Sequence, residues 1–166
     1  EEKYEKQLFG EEYENGTVDY GVLEKANHGT LLLDEVSEIP FKIQSNILRI
    51  LIDQKFKRIN GTEEVNVNIR IISSTSKDLK KLIQEKKFRE DLYHRINVVP
   101  VHMPLLQSRT EDIPLLIKYF SNKIAEINGV QEAKIDANND LLYSYSWPGN
   151  VRELRNLIER ITILSI

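Results

Sequence analysis

Residues 29–35 read Gly-Thr-Leu-Leu-Leu-Asp-Glu, and this stretch restricts the possible folds of the chain more than any other. Three consecutive leucines suit a parallel strand that is buried on both faces. Asp34 and Glu35 follow at its carboxyl end, where open α/β sheets bind their ligands. An Asp there can hold Mg²⁺, and an adjacent Glu can orient a water that attacks a phosphoryl group. Alone the pattern is weak, because such a strand is more often followed by a solvated turn.

The composition is that of an ordinary globular protein, with 166 residues, 40% hydrophobic and 30% charged. This length allows one core, or one core with a small appended domain. The net charge of -3 argues against a mainly electrostatic grip on nucleic acid. There is no cysteine, no bilayer-spanning apolar run and no signal-peptide pattern, so we expect a cytoplasmic protein without a membrane partner. Because the first residue is Glu1 rather than Met, we expect the chain to be an excerpt of a longer protein.

We interpret the first twenty residues as a loop with one helical turn. After them, strand and helix patterns alternate. An Asn60-Gly61 hairpin turn lies between two runs of strand-forming residues. The predicted strands cover 31–33, 71–75 and 98–102, and the predicted helices cover 21–26, 78–86, 88–95 and a segment that Pro40 opens. This alternation predicts an α/β domain with a parallel sheet.

After Pro104 the strand patterns stop and three helical patterns follow. Ser108 and Glu111 resemble a capping box before a helix that carries Ile113 to Ile124. A second helix covers 138–145, and a third begins with Asn150 as its N-cap. We therefore predict a partial α/β core over 1–104 and a small all-helical domain over 105–166.

Five polar residues at strand or helix ends are candidates for binding a phosphate. Thr75 and Ser76 follow a predicted strand, where their hydroxyls either sense a phosphate or close a turn. Arg89 and Arg95 lie on one helical segment, as surface ion-pair partners or as arginine fingers that stabilise a transferring phosphoryl group. Arg152 lies in the first turn of its helix, where the helix dipole disfavours a cation, and this indicates an anion nearby.

Four segments in order carry a resemblance to a known family: 29–35, 88–92, 111–115 and 147–154. They resemble the AAA+ domain of sigma-54-dependent transcriptional activators, over essentially the whole chain. Through 21–30 and 71–75 the chain is similar to the NtrX-type nitrogen response regulators within that family. The resemblance implies an AAA+ P-loop-type parallel sheet core, its N-terminal part missing here, followed by a helical lid. It also implies a two-component response regulator that controls transcription, with ATP and Mg²⁺ as cofactors.

The resemblance implies a role for each candidate residue. The matching positions are Asp34 and Glu35 in the Walker B pair, Thr75 and Ser76 at sensor I, Arg89 and Arg95 as arginine fingers, and Arg152 at sensor II, with Asp34 as the metal ligand. The family usually has Thr-Asn at sensor I, and Ser76 lacks the amide. Since the fingers act on a neighbouring subunit, the implied working state is a ring, typically a hexamer.

Two features of the family are absent from this sequence. No G-x-x-x-x-G-K-S/T loop occurs, so the cradle for the β- and γ-phosphates is missing. The GAFTGA loop that grips sigma-54 should follow Leu8-Phe9-Gly10, yet residues 11–20 contain no such motif, as in many NtrX-type regulators. We therefore expect that the protein does not remodel sigma-54 in the usual way. Other implied partners are RNA polymerase or a sigma factor, and DNA and a sensor histidine kinase through domains outside the chain.

The sequence leaves two classes of function open. The first is the ATPase module of a ring-forming response regulator, which converts ATP and water to ADP and phosphate. The second is a non-enzymatic oligomerisation scaffold that spaces DNA-binding domains, and a truncated gene remnant is a third, weaker alternative. For the isolated chain we expect little or no ATP hydrolysis, because positioning supplies most of the catalysis in phosphoryl transfer.

Overall fold

The computed structural model describes residues 2–164, which divide into two units on either side of the Pro100–Val101 boundary. Each unit has its own hydrophobic core. The fully or nearly fully buried residues of the first core include Leu23, Val36, Ile43, Phe88 and Leu92. Those of the second include Leu106, Ile113, Trp147, Leu154 and Ile158. No helix among residues 2–164 is long and apolar enough to cross a membrane.

The first unit begins with a helix and a hairpin rather than the predicted loop. The elements are α1 (Glu2–Phe9), β1 (Gly10–Glu12), β2 (Val18–Tyr20) and the short α2 (Val22–Lys25). Leu8 and Phe9 are buried at the end of α1, and their contacts with the core stabilise a helix whose sequence pattern is weak. A turn at Asn15-Gly16 connects the two strands, and Gly16 adopts the left-handed backbone that glycine tolerates.

A pair of parallel strands forms the centre of the first unit. The elements are β3 (Thr30–Leu33), α3 (Phe41–Asp53), β4 (Lys55–Lys57), β5 (Glu64–Asn66) and β6 (Arg70–Ser73). β3 and β6 are parallel, with Leu33 opposite Ser73, while β4 and β5 form the predicted antiparallel hairpin. The predicted α/β class with parallel strands is therefore confirmed.

The prediction that these central strands are buried on both faces is wrong. Leu32 and Ile72 are register partners, yet they are 59% and 48% exposed. Leu33 is buried on the opposite face. Among the described residues, helices pack against one face of the β3–β6 pair. The other face is largely exposed.

Two short helices complete the first unit, α4 (Leu79–Gln84) and α5 (Glu90–Ile96). The strand predicted over 98–102 is not formed, and this segment has irregular backbone. Val98 and Val99 are 72% and 80% exposed. Pro100 lacks a backbone N–H, and no described strand lies beside the segment to complete a ladder.

The second unit is helical, as predicted, with α6 (Ile113–Asn128), α7 (Asp140–Ser144) and α8 (Asn150–Leu164). The predicted capping box before α6 is wrong. The Ser108 hydroxyl donates to the Leu105 carbonyl (2.8 Å), and a 3-10 turn over Thr110–Asp112 leads into the helix. Pro114 occupies the first turn of α6, where its missing N–H has no consequence.

The start of α8 also differs from its prediction. Asn150 does not cap the helix, because its Oδ1 accepts a hydrogen bond from the Leu106 N–H (2.7 Å). Instead Glu153 folds back, and its carboxylate accepts bonds from the Gly149 N–H (2.8 Å) and the Tyr145 hydroxyl (3.0 Å). The Asn150 side chain, which the local sequence predicts as an N-cap, therefore forms a tertiary hydrogen bond with Leu106 instead.

Candidate active site

Asp34 and Glu35 lie at the carboxyl end of β3, where the end of β6 fixes both of them. The hydroxyl of Ser74 donates a hydrogen bond to Asp34 Oδ1 and accepts one from the Glu35 N–H (3.1 Å). The Val36 N–H donates to the Ser74 carbonyl (2.9 Å). Ser74, directly after the neighbouring strand β6, therefore positions the side chain of the first carboxylate and the backbone of the second.

Glu35 turns the chain sharply between β3 and the 3-10 turn Val36–Glu38. Its backbone is left-handed, with φ 51° and ψ 59°, a conformation that strains a residue with a Cβ. Strained backbone that persists is typical of functional sites. In this conformation the Glu35 carboxylate reaches the segment that follows β6, where its Oε2 accepts a hydrogen bond from the Ser76 N–H (2.9 Å).

The hydrogen bonds around Glu35 keep its carboxylate ionised. The Ser76 N–H has the largest effect and lowers the pKa of Glu35, assisted by the hydroxyls of Ser76 and Ser37. Partial desolvation and the adjacent charge of Asp34 act in the opposite direction and are outweighed. Glu35 is therefore a negatively charged hydrogen-bond acceptor at neutral pH, as a residue that orients a water must be.

Thr75 and Ser76 contribute differently, although they are adjacent. The Thr75 hydroxyl accepts a hydrogen bond from the Lys77 N–H (3.1 Å) and donates to the Lys77 carbonyl (3.3 Å). This closes a local turn, the simpler of the two interpretations of Thr75. Of the two residues, Ser76 is the one in contact with the carboxylate pair.

Arg89 and Arg95 lie at opposite ends of α5 and both are held within the chain. Arg89 forms a bidentate pair with Asp91, with Nε–Oδ1 at 3.0 Å and Nη2–Oδ2 at 2.7 Å. Arg95 donates from Nε and Nη2 to the Leu51 carbonyl (3.2 and 2.7 Å), near the end of α3. Neither guanidinium is bonded to Asp34 or Glu35.

Arg152 lies in the second unit, exposed in the first turn of α8. Its guanidinium makes no hydrogen bond or ion pair with any residue in the described range 2–164. The helix dipole at this end does not favour a cation. A free arginine here is available to an external anion.

Sequence reasoning missed two residues, Ser74 and Gln44. Ser74 falls inside the strand predicted over 71–75, and its contact with Asp34 depends on the register of β6 against β3. Gln44 is 0% exposed on α3, and its Oε1 accepts a hydrogen bond from the Arg89 N–H (2.8 Å). A polar residue next to Ile43 on the apolar side of a predicted helix is a signal that could have identified it.

Comparison with known proteins gives a consistent result for both units. Residues 1–102 match the model of the sigma-54 interaction domain, and residues 107–166 match the AAA+ ATPase lid domain. The chain belongs to the sigma-54 interaction domain family. The resemblance inferred from the motifs is thereby confirmed.

Named relatives of this sigma-54 interaction domain are regulatory proteins. The chain is 46% identical to the nitrogen assimilation regulatory protein NtrX of Azorhizobium caulinodans, over 99% of its own length and 37% of that protein. It is 44% identical to the regulatory protein AtoC of Escherichia coli, over 97% of this chain and 36% of that protein. The chain thus spans little more than a third of the length of these curated relatives.

The fold of this sigma-54 interaction domain matches crystal structures of NtrX from Brucella abortus. The TM-score is 0.93 at 48% identity, covering 99% of this chain and 38% of that one. The same protein in complex with ATP gives a TM-score of 0.91, again at 48% identity, with 99% of this chain and 36% of that one covered. This chain therefore has the same fold as the matching part of NtrX in both crystal structures.

The carboxylate pair of this family member fits a magnesium ion with few protein ligands. Asp34 is exposed, and Ser74 occupies only its Oδ1, so Oδ2 remains for a cation. The described residues contain no group of three or more His, Cys, Asp or Glu that could hold a metal alone. Mg²⁺ typically takes one or two carboxylates and completes its shell with water and phosphate oxygens, and this donor set suits it.

The β1–β2 hairpin of this family member is short and internally bonded. The Tyr13 N–H donates to the Thr17 carbonyl (2.9 Å), and the Tyr13 hydroxyl donates to Asp19 (3.2 Å). The Asn15 side chain accepts a hydrogen bond from the Thr17 N–H (3.0 Å). The hairpin closes directly over residues 13–17, where the sequence lacks a GAFTGA loop.

Proposed function

We propose that this chain is the ATP-binding module of a bacterial NtrX-like response regulator that controls transcription in nitrogen regulation. The observation that carries the proposal is the pair Asp34–Glu35, fixed by Ser74 and Ser76 at the end of a parallel strand. The B. abortus relative has been crystallised with ADP and with ATP, which supports the same class of ligand here. In the intact protein we place the module in a ring of subunits.

The proposed roles follow from what each side chain can do. Asp34 would hold Mg²⁺ through its free oxygen, and Mg²⁺-bound ATP would supply the phosphoryl group and neutralise part of its charge. Glu35, kept ionised by the Ser76 N–H, would accept a hydrogen bond from the attacking water. Arg89 would exchange its partner Asp91 for a phosphate of the adjacent subunit, and Arg95 would add positive charge there. Arg152, as the sensor II residue, would reach from the helical lid toward the phosphates of the bound nucleotide.

A magnesium-dependent ATPase assay on the intact protein tests this proposal. Glu35→Gln keeps an acceptor for the Ser76 N–H but removes the negative charge, so turnover should fall by about 10²-fold or more. Glu38→Gln is the matched control, because Glu38 is exposed and bonded to Lys77 instead of the Ser76 N–H. Full turnover in Glu35→Gln would refute the assigned role.

A scaffold without enzymatic activity is the second candidate. It is favoured by the engagement of Arg89 with Asp91 and of Arg95 with Leu51, which leaves neither arginine free. In that case the AAA+ body would space DNA-binding domains, and Asp34 and Glu35 would be relics. An intact assembly without any ATP turnover in the assay above would favour the scaffold.

We also propose that the intact protein does not remodel sigma-54 polymerase. The short β1–β2 hairpin supports this, because the turn over residues 13–17 offers no loop with the GAFTGA sequence. Open-complex formation on a sigma-54 promoter should be absent, with a GAFTGA-containing activator as the positive control. Open complexes formed by this protein would contradict the proposal.

A further inference from the structure

Gln44 uses both N–H donors and the oxygen of its amide inside the core of the first unit. Its side chain is completely buried, at 0% exposure. Nε2 donates to the carbonyls of Ile39 (2.9 Å) and Lys87 (3.1 Å), and Oε1 accepts from the Arg89 N–H (2.8 Å). A buried amide with both donors and its acceptor satisfied has a defined orientation.

The Ile39 carbonyl, one of the groups bonded to Gln44, lies close in the sequence to the proposed catalytic carboxylate of Glu35. Ile39 follows the 3-10 turn that starts directly after Glu35, and its N–H donates to the Val36 carbonyl (3.3 Å). The bond from the Ser76 N–H to Glu35 and the bond from the Val36 N–H to the Ser74 carbonyl (2.9 Å) tie this turn to the segment after β6. The position of the Ile39 carbonyl is therefore set by the same contacts that orient Glu35.

The Arg89 N–H, another group bonded to Gln44, belongs to the proposed arginine finger. Arg89 is the residue that precedes the first turn of α5, and the adjacent Phe88 is 2% exposed in the core. The Gln44 amide holds the backbone on both sides of Phe88, at the Lys87 carbonyl and the Arg89 N–H. With the backbone fixed here, the guanidinium of Arg89 can move only through its side-chain torsions.

We propose that Gln44 is a positioning residue that holds Arg89 in register with Glu35 of the same subunit. The finger that the subunit presents to its neighbour is thereby held, through Gln44 and Ile39, in a fixed position relative to the subunit's own carboxylate pair. This inference rests on the proposed ATPase function. It predicts that losing the Gln44 amide impairs a subunit as a finger donor and leaves its own carboxylate pair competent.

The substitution Gln44→Met in the intact protein tests the inference, because Met has similar length and no amide. Gln54→Met is the matched control: Gln54 caps the same helix and accepts a hydrogen bond from the Ile69 N–H (3.2 Å), away from Arg89. We expect a loss of ATP turnover of about 10²-fold in Gln44→Met, as for a small misplacement of a catalytic group, and little loss in Gln54→Met. Unchanged turnover in Gln44→Met would overturn the inference and leave the proposed function standing.

Subunit mixing separates positioning from a general structural defect. Gln44→Met subunits keep Glu35, whereas Glu35→Gln subunits keep a correctly held Arg89. A mixture should therefore hydrolyse ATP several-fold faster than the sum of the two variants, as should a mixture of Arg89→Ala with Glu35→Gln. No recovery in the Gln44→Met mixture, alongside recovery in the Arg89→Ala mixture, would overturn the inference.

Hydrogen exchange provides a readout that does not depend on activity. The Arg89 amide should exchange at least about tenfold faster in Gln44→Met than in the wild type, and at the wild-type rate in Gln54→Met. Equal protection in all three proteins would overturn the inference. Absence of turnover in the wild type itself would overturn the proposed function, and with it the positioning role of Gln44.

Discussion

At the level of single residues, the acidity of Glu35 is controlled mainly by a backbone group. The Ser76 N–H lowers the pKa of Glu35 more than the Ser76 hydroxyl does, and the Ser37 hydroxyl has a smaller effect. A backbone donor is retained with any residue except proline at position 76. This residue can therefore differ from the usual Asn of the family without loss of the contact that keeps Glu35 ionised.

The substitution Ser76→Ala tests this assignment. It removes the hydroxyl and keeps the N–H, so the pKa of Glu35 should rise only part of the way to its ordinary value. Titration of the Glu35 side-chain carbon by NMR measures the pKa directly, with Ser37→Ala as a control that should cause a smaller rise. A complete return to the ordinary value in Ser76→Ala would show that the hydroxyl, not the backbone, is the main cause.

The same shift predicts how Glu35 affects stability as the pH changes. Its pKa is lower in the folded state than in the unfolded state, so the ionised carboxylate stabilises the fold above the unfolded value, about 4.3. This contribution is lost as the pH falls through the lower folded value. In acid denaturation Glu35→Gln should therefore reduce the difference in stability between neutral pH and pH 3. An unaltered pH dependence would contradict the folded-state pKa shift.

At the level of elements, long-range partners decide which local patterns become regular structure. The leucines of β3 and the isoleucines of β6 were recognisable as strands and pair in parallel. The segment 98–102 has a similar composition but no strand beside it among the described residues, and it remains irregular. A strand requires a neighbour to satisfy its backbone groups, and single-sequence patterns contain no information about that neighbour.

A long-range hydrogen bond fixes the start of α8 to Leu106, and substitution of Asn150 tests how much it contributes. Asn150→Ala leaves the Leu106 N–H, in a residue at 0% exposure, without its acceptor. The left-handed backbone of Asn150, φ 52°, is also less favourable for Ala than for Asn. We expect the second unit to lose about 1–3 kcal/mol of unfolding free energy, the usual cost of an unsatisfied buried donor.

Urea unfolding, followed by the fluorescence of Trp147, measures this loss of stability in the second unit. Trp147 is the single tryptophan of the chain and is 4% exposed in the second core. Asn156→Ala is the matched control, because Asn156 is exposed on the same helix. Asn150→Asp should retain most of the stability, since its side chain still provides an acceptor. Equal stability of Asn150→Ala and Asn156→Ala would exclude the proposed role of the Leu106 contact.

At the level of the whole molecule, this chain contains one part of the proposed site, and its sequence lacks another part. Asp34, Glu35 and Ser76 form the part that would bind Mg²⁺ and orient water. No G-x-x-x-x-G-K-S/T segment is present to hold phosphates beside them. Carboxylates that cannot position the phosphoryl group have little catalytic effect.

The 166-residue chain on its own is therefore expected to show little or no steady ATP turnover. Phosphate release at saturating Mg²⁺ and ATP measures this, and Glu35→Gln in the same chain is the control for contaminating activity. Turnover that exceeds this control would refute the expectation. It would also show that residues 1–166 contain a phosphate-binding element that the sequence motifs do not reveal.

The sequence by itself determined the fold class, the helical character of the second unit and the carboxylate pair of the candidate site. These depend on local properties: apolar periodicity, turn residues and the position of Asp34 and Glu35 directly after an apolar strand. Register and side-chain direction are not local. Only the tertiary structure showed that Ser74 bonds to Asp34, that Gln44 bonds to Arg89, and that Asn150 bonds to Leu106 instead of capping its own helix. Each of these contacts joins groups about forty positions apart, and buried donors and acceptors select such partners only when the packed chain brings them within hydrogen-bond distance.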